Sequence, residues 1–148
     1  MQTQCSAEQL QFSCVEHRRV VAAFDGGEVT SDAGALLLMR TDRAIGLVDR
    51  LTKCFDDRRA PWAIEHTVRT LVSQRVLGIA AGYEDLNDHD ALRADPLWGA
   101  VIGKLQSKRR DCGALAGKST LNRLELSVRE KPTRYQKIGH DAVAIEGL

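Results

Sequence analysis

The chain has 148 residues, of which 43% are hydrophobic and 28% charged, as is usual for a globular domain built around one hydrophobic core. Aromatic residues make up only 5%, which argues against an aromatic-rich β-sandwich and favours helices packed through aliphatic side chains. The net charge is +1, but residues 1–100 carry 11 basic and 15 acidic side chains, whereas residues 101–148 carry 10 basic and 5 acidic ones. A positive last third indicates either a nucleic-acid surface or a solvated basic face.

The cysteines and the amino terminus argue against several other classes of protein. No two of the four cysteines form a Cys-x-x-Cys pair, which disfavours a zinc ribbon or a redox motif. The first twenty residues are polar and do not resemble a signal peptide, and no apolar run is long enough to span a membrane. We therefore expect a cytoplasmic protein with reduced thiols and no membrane partner.

The first elements in the chain are a hairpin and two helices. Residues 1–17 are polar without a clear period, and we expect them to be flexible. The apolar run 20–24 predicts a strand, Gly26-Gly27 a tight turn and residues 28–30 the return strand, which places a small β-hairpin near residues 20–30. Ser31 or Asp32 then caps a helix that runs to about Arg43, and a second helix covers residues 47–55.

Helical patterns dominate the rest of the chain. The strongest predicts a long helix over 62–81 that ends at Gly82, with an apolar face formed by Ile64, Val68, Leu71, Val72, Val76 and Ile79. Asp95-Pro96 begins another helix, and Ser119 or Thr120 caps a further one after a basic loop over 107–117. A last helix begins near Ile138. The predicted fold is mainly α, a multi-helix amino-terminal domain with the small hairpin added.

Two motifs that resemble ligand sites fail on their spacing. The acidic cluster over 84–90 would need Gly and Glu at the sixth and twelfth positions of a calcium loop, but these are Asp90 and Pro96. The run ending in Gly117-Lys118-Ser119 lacks the first glycine of a phosphate-binding loop, because Cys112 stands in its place. We therefore expect no nucleotide and no metal site, and we interpret the acidic cluster as helix capping and surface solvation.

The helix that begins near residue 118 is the best candidate for contact with DNA. Free N–H groups at a helix N-terminus bind phosphate, and Ser, Thr, Asn and Arg side chains contact phosphates and base edges. The alternative is a capped helix whose charged face is only solvated. The candidate DNA-binding residues are Arg109, Arg110, Lys118, Ser119, Thr120, Asn122 and Arg123.

Five segments together resemble the amino-terminal region of DDE-type transposases of the insertion sequence 1380 group. Their order and spacing carry the resemblance, which covers roughly residues 18–148, and the pattern Arg-x-x-Gly-x-x-x-Gly-Tyr-Glu-Asp-x-x-Asp at 75–88 is the most specific part. The Ser-Thr-Leu-x-Arg-x-Glu helix at 119–125 is shared more loosely with other transposases. The segments are residues 24–27, 30–34, 74–88, 92–96 and 119–125.

The resemblance implies a helical region followed by a ribonuclease-H-like core in which three acidic residues hold two divalent metal ions, magnesium in the full-length enzyme. It places those carboxylates after Leu148, so no residue of this chain is assigned a catalytic or metal-binding role and no cofactor is expected here. We expect a fragment that is not catalytic alone. Its parts would be a flexible terminus over 1–17, a helical domain over 18–130, and a linker with the start of the next helix over 131–148.

Two functions remain open at this stage. The first is the amino-terminal part of a bacterial DDE transposase that supports DNA transposition through DNA binding or structure, with terminal inverted repeats as the partner and self-association as a second expected contact. The second is a stand-alone helical interaction module whose basic tail binds an acidic partner.

Overall fold

A computed structural model describes residues 10–22, 31–108, 110, 112–129 and 132–148. Within these ranges five strands are formed, β1 (Leu10–Val15), β2 (Arg18–Ala22), β3 (Phe55–Asp57), β4 (Val128–Arg129) and β5 (Ile138–His140). The α-helices in the same ranges are α1 (Gly34–Ile45), α2 (Leu47–Thr52), α3 (Val68–Ala80), α4 (His89–Leu92), α5 (Pro96–Ile102), α6 (Lys118–Glu125) and α7 (Ala142–Glu146). Short 3-10 helices cover Ser31–Ala33 and Pro61–Ala63.

The prediction of a mainly α fold is wrong, because the protein has a mixed α/β architecture. Helical residues make up 48% of the described chain and strand residues 15%, in two small sheets. Strands of two or three residues are too short to show an alternating pattern, and β3 forms here through a partner, β5, that is distant in sequence.

The hairpin that the structure describes near the amino terminus joins β1 to β2. Leu10 pairs with Ala22 and Phe12 with Val20, around a turn at Glu16 and His17 in which both residues have positive φ, 47° and 66°. A two-residue turn with both φ values positive matches the twist of a hairpin, although Gly or Asn usually provides it. The predicted strand is therefore present at residues 20–22, whereas the predicted turn and return strand at 26–30 lie outside the described residues.

The second sheet has the order β3-β5-β4, with β5 antiparallel to β3 and parallel to β4. The helix predicted to begin at Ile138 is wrong, since Ile138–His140 is the central strand of this sheet and α7 begins only at Ala142, capped by Asp141. Pairing with Asp57 buries the apolar Ile138 against the helices, which local periodicity does not reveal.

The helix ends follow capping chemistry that the sequence predicted in part. Gly46, with φ of 67°, separates α1 from α2, and Gly82, with φ of 96°, follows α3. Asp95 caps α5 by accepting the Leu97 N–H, with Pro96 in the first turn, as predicted. The long helix was predicted to begin six residues too early, because Thr67 accepts the Thr70 N–H and starts α3 at Val68.

Two apolar clusters form the core, and α3 contributes to both. The first contains Leu77 of α3 with residues of α1, α4 and α5, among them Leu36, Trp98 and Ile102. The second contains Leu71 and Val72 of α3 with residues of α2, α6 and β5. Burial of Leu71 and Val72 confirms the predicted face, whereas Ile79 is exposed and the polar Ser73 and Gln74 are buried instead. Helix α3 is thus enclosed on more than one side.

Two further expectations concern the whole chain. In the part of the chain that the structure describes, no helix is long and apolar enough to cross a membrane. The division at residues 17 and 130 stays a prediction, although β1 lies within the segment expected to be flexible and β5 and α7 within the expected linker.

Replacing Leu71 by Ala should lower the free energy of unfolding by roughly 2–5 kcal/mol, because a fully buried side chain would leave a cavity between α3 and α6. Urea denaturation followed by circular dichroism measures the change. The matched control is Leu37→Ala on α1, where the side chain is 54% exposed and little stability should be lost. Equal losses in both variants would contradict the assigned core.

Candidate nucleic-acid interface

Helix α6 carries most of the predicted DNA-binding residues, and two buried leucines anchor it to the core. Leu121 and Leu124 pack into the second cluster against α3. The predicted cap by Ser119 or Thr120 is wrong, since the N-cap residue is Gly117, which has no side chain. A Cβ at Gly117 would come within 2.7 Å of an Asp90 carboxylate oxygen and 2.9 Å of an Arg93 guanidinium nitrogen, so the glycine permits this close approach.

The N-terminus of α6 is already occupied by side chains of the acidic segment. The Lys118 N–H donates to Asp90 at 3.0 Å, and the Lys118 ammonium donates to Asn87 at 3.1 Å and lies 3.8 Å from Asp90. Asp85 accepts the Asn87 N–H at 2.8 Å, which lowers the pKa of Asp85. Asp90 therefore satisfies a backbone N–H at the start of α6, and the carboxylates of the acidic cluster disfavour a phosphate at this helix end.

The outer face of α6 presents the other candidate residues to solvent. Ser119, Asn122 and Arg123 are exposed at the three- and four-residue spacing of one helix face, opposite Leu121 and Leu124. Thr120 is half-buried and lines a groove beside the helix. Arg110 is exposed, and Arg109 lies outside the described residues. The structure thus brings Ser119, Asn122 and Arg123 together on one accessible face.

A group of motif residues connects the helices. Ser31 or Asp32 was predicted to cap α1, but Ala33 occupies the N-cap position and makes no side-chain cap bond. Asp32 accepts hydrogen bonds from the Tyr83 hydroxyl at 2.7 Å and from the Trp98 indole at 3.1 Å. This hydrogen bond, together with burial, raises the pKa of Tyr83. Arg75 donates to the carbonyls of Tyr83 and Glu84 at 3.2 and 2.8 Å and pairs with the Glu125 carboxylate of α6. The most specific motif therefore holds α6 and α5 onto α3.

A buried polar contact fixes the segment immediately before α6. Gln74 is fully buried and donates to the Ala116 carbonyl at 2.8 Å while accepting the Ala116 N–H at 3.0 Å. Its amide also donates to Nδ1 of the buried His89 at 3.2 Å, which places the ring proton of His89 on Nε2. Burial lowers the pKa of His89 and so favours the neutral form of the ring. No local pattern signals a buried glutamine, and sequence reasoning missed it.

A second polar cluster joins the end of α5 to the start of α3. The Lys104 ammonium donates to the Glu65 carboxylate at 2.8 Å, to the Glu65 carbonyl at 2.8 Å and to His66 Nδ1 at 3.1 Å. Burial, followed by the positive charge of Lys104, lowers the pKa of His66 to about 4. Burial opposes ionisation of Glu65, but hydrogen bonds from Lys104 and the Lys108 N–H lower the pKa of that carboxyl.

The comparisons with known proteins point to one family. A family model described as transposase DDE domain group 1 matches residues 12–145, from β1 to α7. No curated protein and no solved structure matches the chain. Across the described ranges, no three His, Cys, Asp or Glu side chains are placed to hold a metal ion together.

Replacing Gly78 by Ala should lower the free energy of unfolding by roughly 1–3 kcal/mol, because the added Cβ would meet the buried His89 ring at 2.8 Å. Gly34→Ala is the matched control, since a Cβ there has nothing within 4 Å and the helix gains an alanine. Chemical denaturation of both variants tests the contact, and a Gly78→Ala protein as stable as Gly34→Ala would refute it.

Lowering the pH from about 7 to about 4 should reduce the free energy of unfolding, with His66 contributing at most about 3 kcal/mol. The folded protein resists protonation of His66 until about pH 4, whereas the unfolded chain takes up the proton near 6.5, so the unfolded state binds more protons in this window. His66→Asn keeps an acceptor for Lys104 and should flatten the pH dependence. His17→Asn, at the exposed hairpin turn, should leave it unchanged, and the reverse pattern would exclude His66 as the cause.

Proposed function

Because this chain belongs to the family described as transposase DDE domain group 1, we propose that it serves DNA transposition by binding the terminal inverted repeats of a bacterial insertion sequence of the 1380 group. The family supports a transposase-related role and DNA as the substrate. The finer proposal concerns which surface meets the DNA and what it recognises.

The exposed face of α6 is the observation that carries the proposal. Leu121 and Leu124 fix the rotation of the helix, and Glu125 is tied to Arg75, so Asn122 and Arg123 project outward from an anchored element. Among the described ion pairs none involves Arg123, which leaves its guanidinium available to a phosphate or a base edge. Asn122 can pair with the edge of an adenine, and Ser119 can contact the backbone.

Because the N-terminus of α6 is occupied, we place the proposed DNA contact farther along the helix. Lys118 and its N–H are engaged by Asp90 and Asn87, so phosphate binding by free helix N–H groups is disfavoured. We therefore give Asn122 and Arg123 the leading roles, with Ser119 and Thr120 beside them. Arg109 and Arg110 would add charge from the preceding basic loop.

DDE transposases generally use a divalent metal, but the residues that the structure describes do not form a set that fits one. Self-association and action in the cytoplasm, where bacterial DNA resides, remain part of the proposal. The alternative of an independent interaction module is less favoured, since the family match extends from residue 12 to residue 145.

Replacing Arg110 and Arg123 by Ala should weaken binding to terminal-repeat and scrambled duplexes alike. Each lost phosphate contact should flatten the dependence of log affinity on log salt by roughly one unit, because fewer counterions are released. Asn122→Ala should instead reduce the preference for the terminal repeat. Fluorescence anisotropy at several salt concentrations measures both effects.

Arg40→Ala is the control for this experiment, since Arg40 is exposed on α1 and lies outside the proposed surface. It should leave both affinities within error of the unmodified protein. If the folded protein binds neither duplex at low salt, the DNA-binding proposal fails, and α6 then has only a packing role.

A further inference from the structure

A groove of about 340 Å³ lies between α6 and the segment that leads into β5. Its apolar lining includes the buried Leu71 and Ile138 and the exposed Leu126. Its basic lining consists of Arg59, Arg123 and Lys137, which come from three separate segments. Apolar surface together with separate positive charges suits a ligand that has flat apolar faces and negative charge, as a nucleotide has.

The charge of the groove is available to a ligand. The guanidinium of Arg59 donates two hydrogen bonds of 2.8 Å to the Asp57 carboxylate, which orient it. Burial raises the pKa of Asp57, but these hydrogen bonds outweigh burial and lower it. Neither Arg123 nor Lys137 forms an ion pair within the described chain. The groove therefore carries a positive surplus that complements phosphate.

Tyr135 gives the groove its most specific feature. Its side chain is 89% exposed, although the ring is large and apolar, and the Arg134 guanidinium lies 6.0 Å from the ring centroid. An exposed aromatic ring beside cations is the usual platform on which proteins stack unpaired bases.

The turn that carries Tyr135 is held at both ends. The Thr133 N–H donates to the Gln136 carbonyl at 2.7 Å, and the Gln136 N–H returns a hydrogen bond of 3.0 Å to the Thr133 hydroxyl. The Gln136 side chain donates to the Leu126 carbonyl at 3.2 Å, and the Lys137 carbonyl accepts the Arg58 N–H at 2.9 Å. The ring is thus presented from an anchored turn beside α6.

We propose that this groove binds an unpaired stretch of DNA adjoining the duplex on α6, with one base stacked on Tyr135 and the backbone held by Arg123 and Lys137. The proposal rests on the DNA-binding function proposed above and adds a preference for DNA ends or junctions with single-stranded character. Duplex DNA keeps its bases stacked inside the helix, so a fully paired ligand gains nothing from the tyrosine.

The test compares a blunt duplex with the same duplex carrying a short oligothymidine overhang, by fluorescence anisotropy with the 148-residue protein. The overhang should increase the affinity. Tyr135→Ala should lower the affinity for the overhang duplex by a factor of at least about five. Tyr135→Phe should keep the preference, because the ring faces are retained. The blunt duplex should be bound equally by all three proteins.

Trp62→Ala is the matched control, since Trp62 is also 89% exposed but does not line the groove. It should change neither affinity. A 2-aminopurine base in the overhang gives an independent readout, and its fluorescence should be quenched by the unmodified protein and Tyr135→Phe but not by Tyr135→Ala.

The outcomes separate this inference from the function on which it rests. Equal affinity of the unmodified protein for blunt and overhang duplexes would overturn the proposal that the groove binds unpaired DNA, and so would an equal loss of affinity for both duplexes in Tyr135→Ala. Either result would leave the proposal of duplex binding by α6 intact. Binding to neither duplex would overturn both proposals. A melting temperature unchanged in Tyr135→Ala would show that any lost affinity reflects the lost ring rather than misfolding.

Discussion

The double hydrogen bond between Gln74 and the backbone of Ala116 is the contact on which the rest of the arrangement depends. Leu115 belongs to the first apolar cluster and Ala116 to the second, so this pair of residues passes between the two halves of the core. A backbone that crosses apolar surroundings must have its polar groups satisfied, and the Gln74 amide satisfies both groups of Ala116. Because Gly117 and α6 follow directly, the same contact determines where the candidate DNA surface begins.

The motif residues mostly stabilise this arrangement rather than provide reactive groups. Asp32, Arg75 and Tyr83 use their polar atoms to join α1, α3, α5 and α6. Gly78 admits the His89 ring against α3, and Gly82 ends that helix. The motif that is most specific to the family therefore consists mainly of residues that hold the helices together. The residues proposed to contact DNA lie on α6, whose sequence pattern is less specific and which these residues hold in place.

The basic residues differ in whether they are paired within the chain, and this difference indicates which of them can bind DNA. Arg75, Lys104 and Lys118 are each engaged by carboxylates or carbonyls of the same chain. Arg123 and Lys137 have no such ion pair among the described residues, and both line the groove beside α6. Neighbouring carboxylates neutralise some cations in the positive last third of the sequence and not others. The remaining positive charge is therefore concentrated at the groove beside α6.

The sequence alone determined the features that depend on neighbouring residues. Helical periodicity located α3 and the burial of Leu71 and Val72, while glycine and Asp-Pro chemistry located the helix ends at Gly82 and Asp95. The tertiary structure alone decided the mixed α/β architecture, since β3 and β5 pair across some eighty residues and neither is long enough to show a period. It also decided that Gln74 is buried, that Asp90 occupies the start of α6, and that Tyr135 lies beside Arg123 in one groove. Each of these depends on contacts between distant segments, which a local pattern of residue types does not encode.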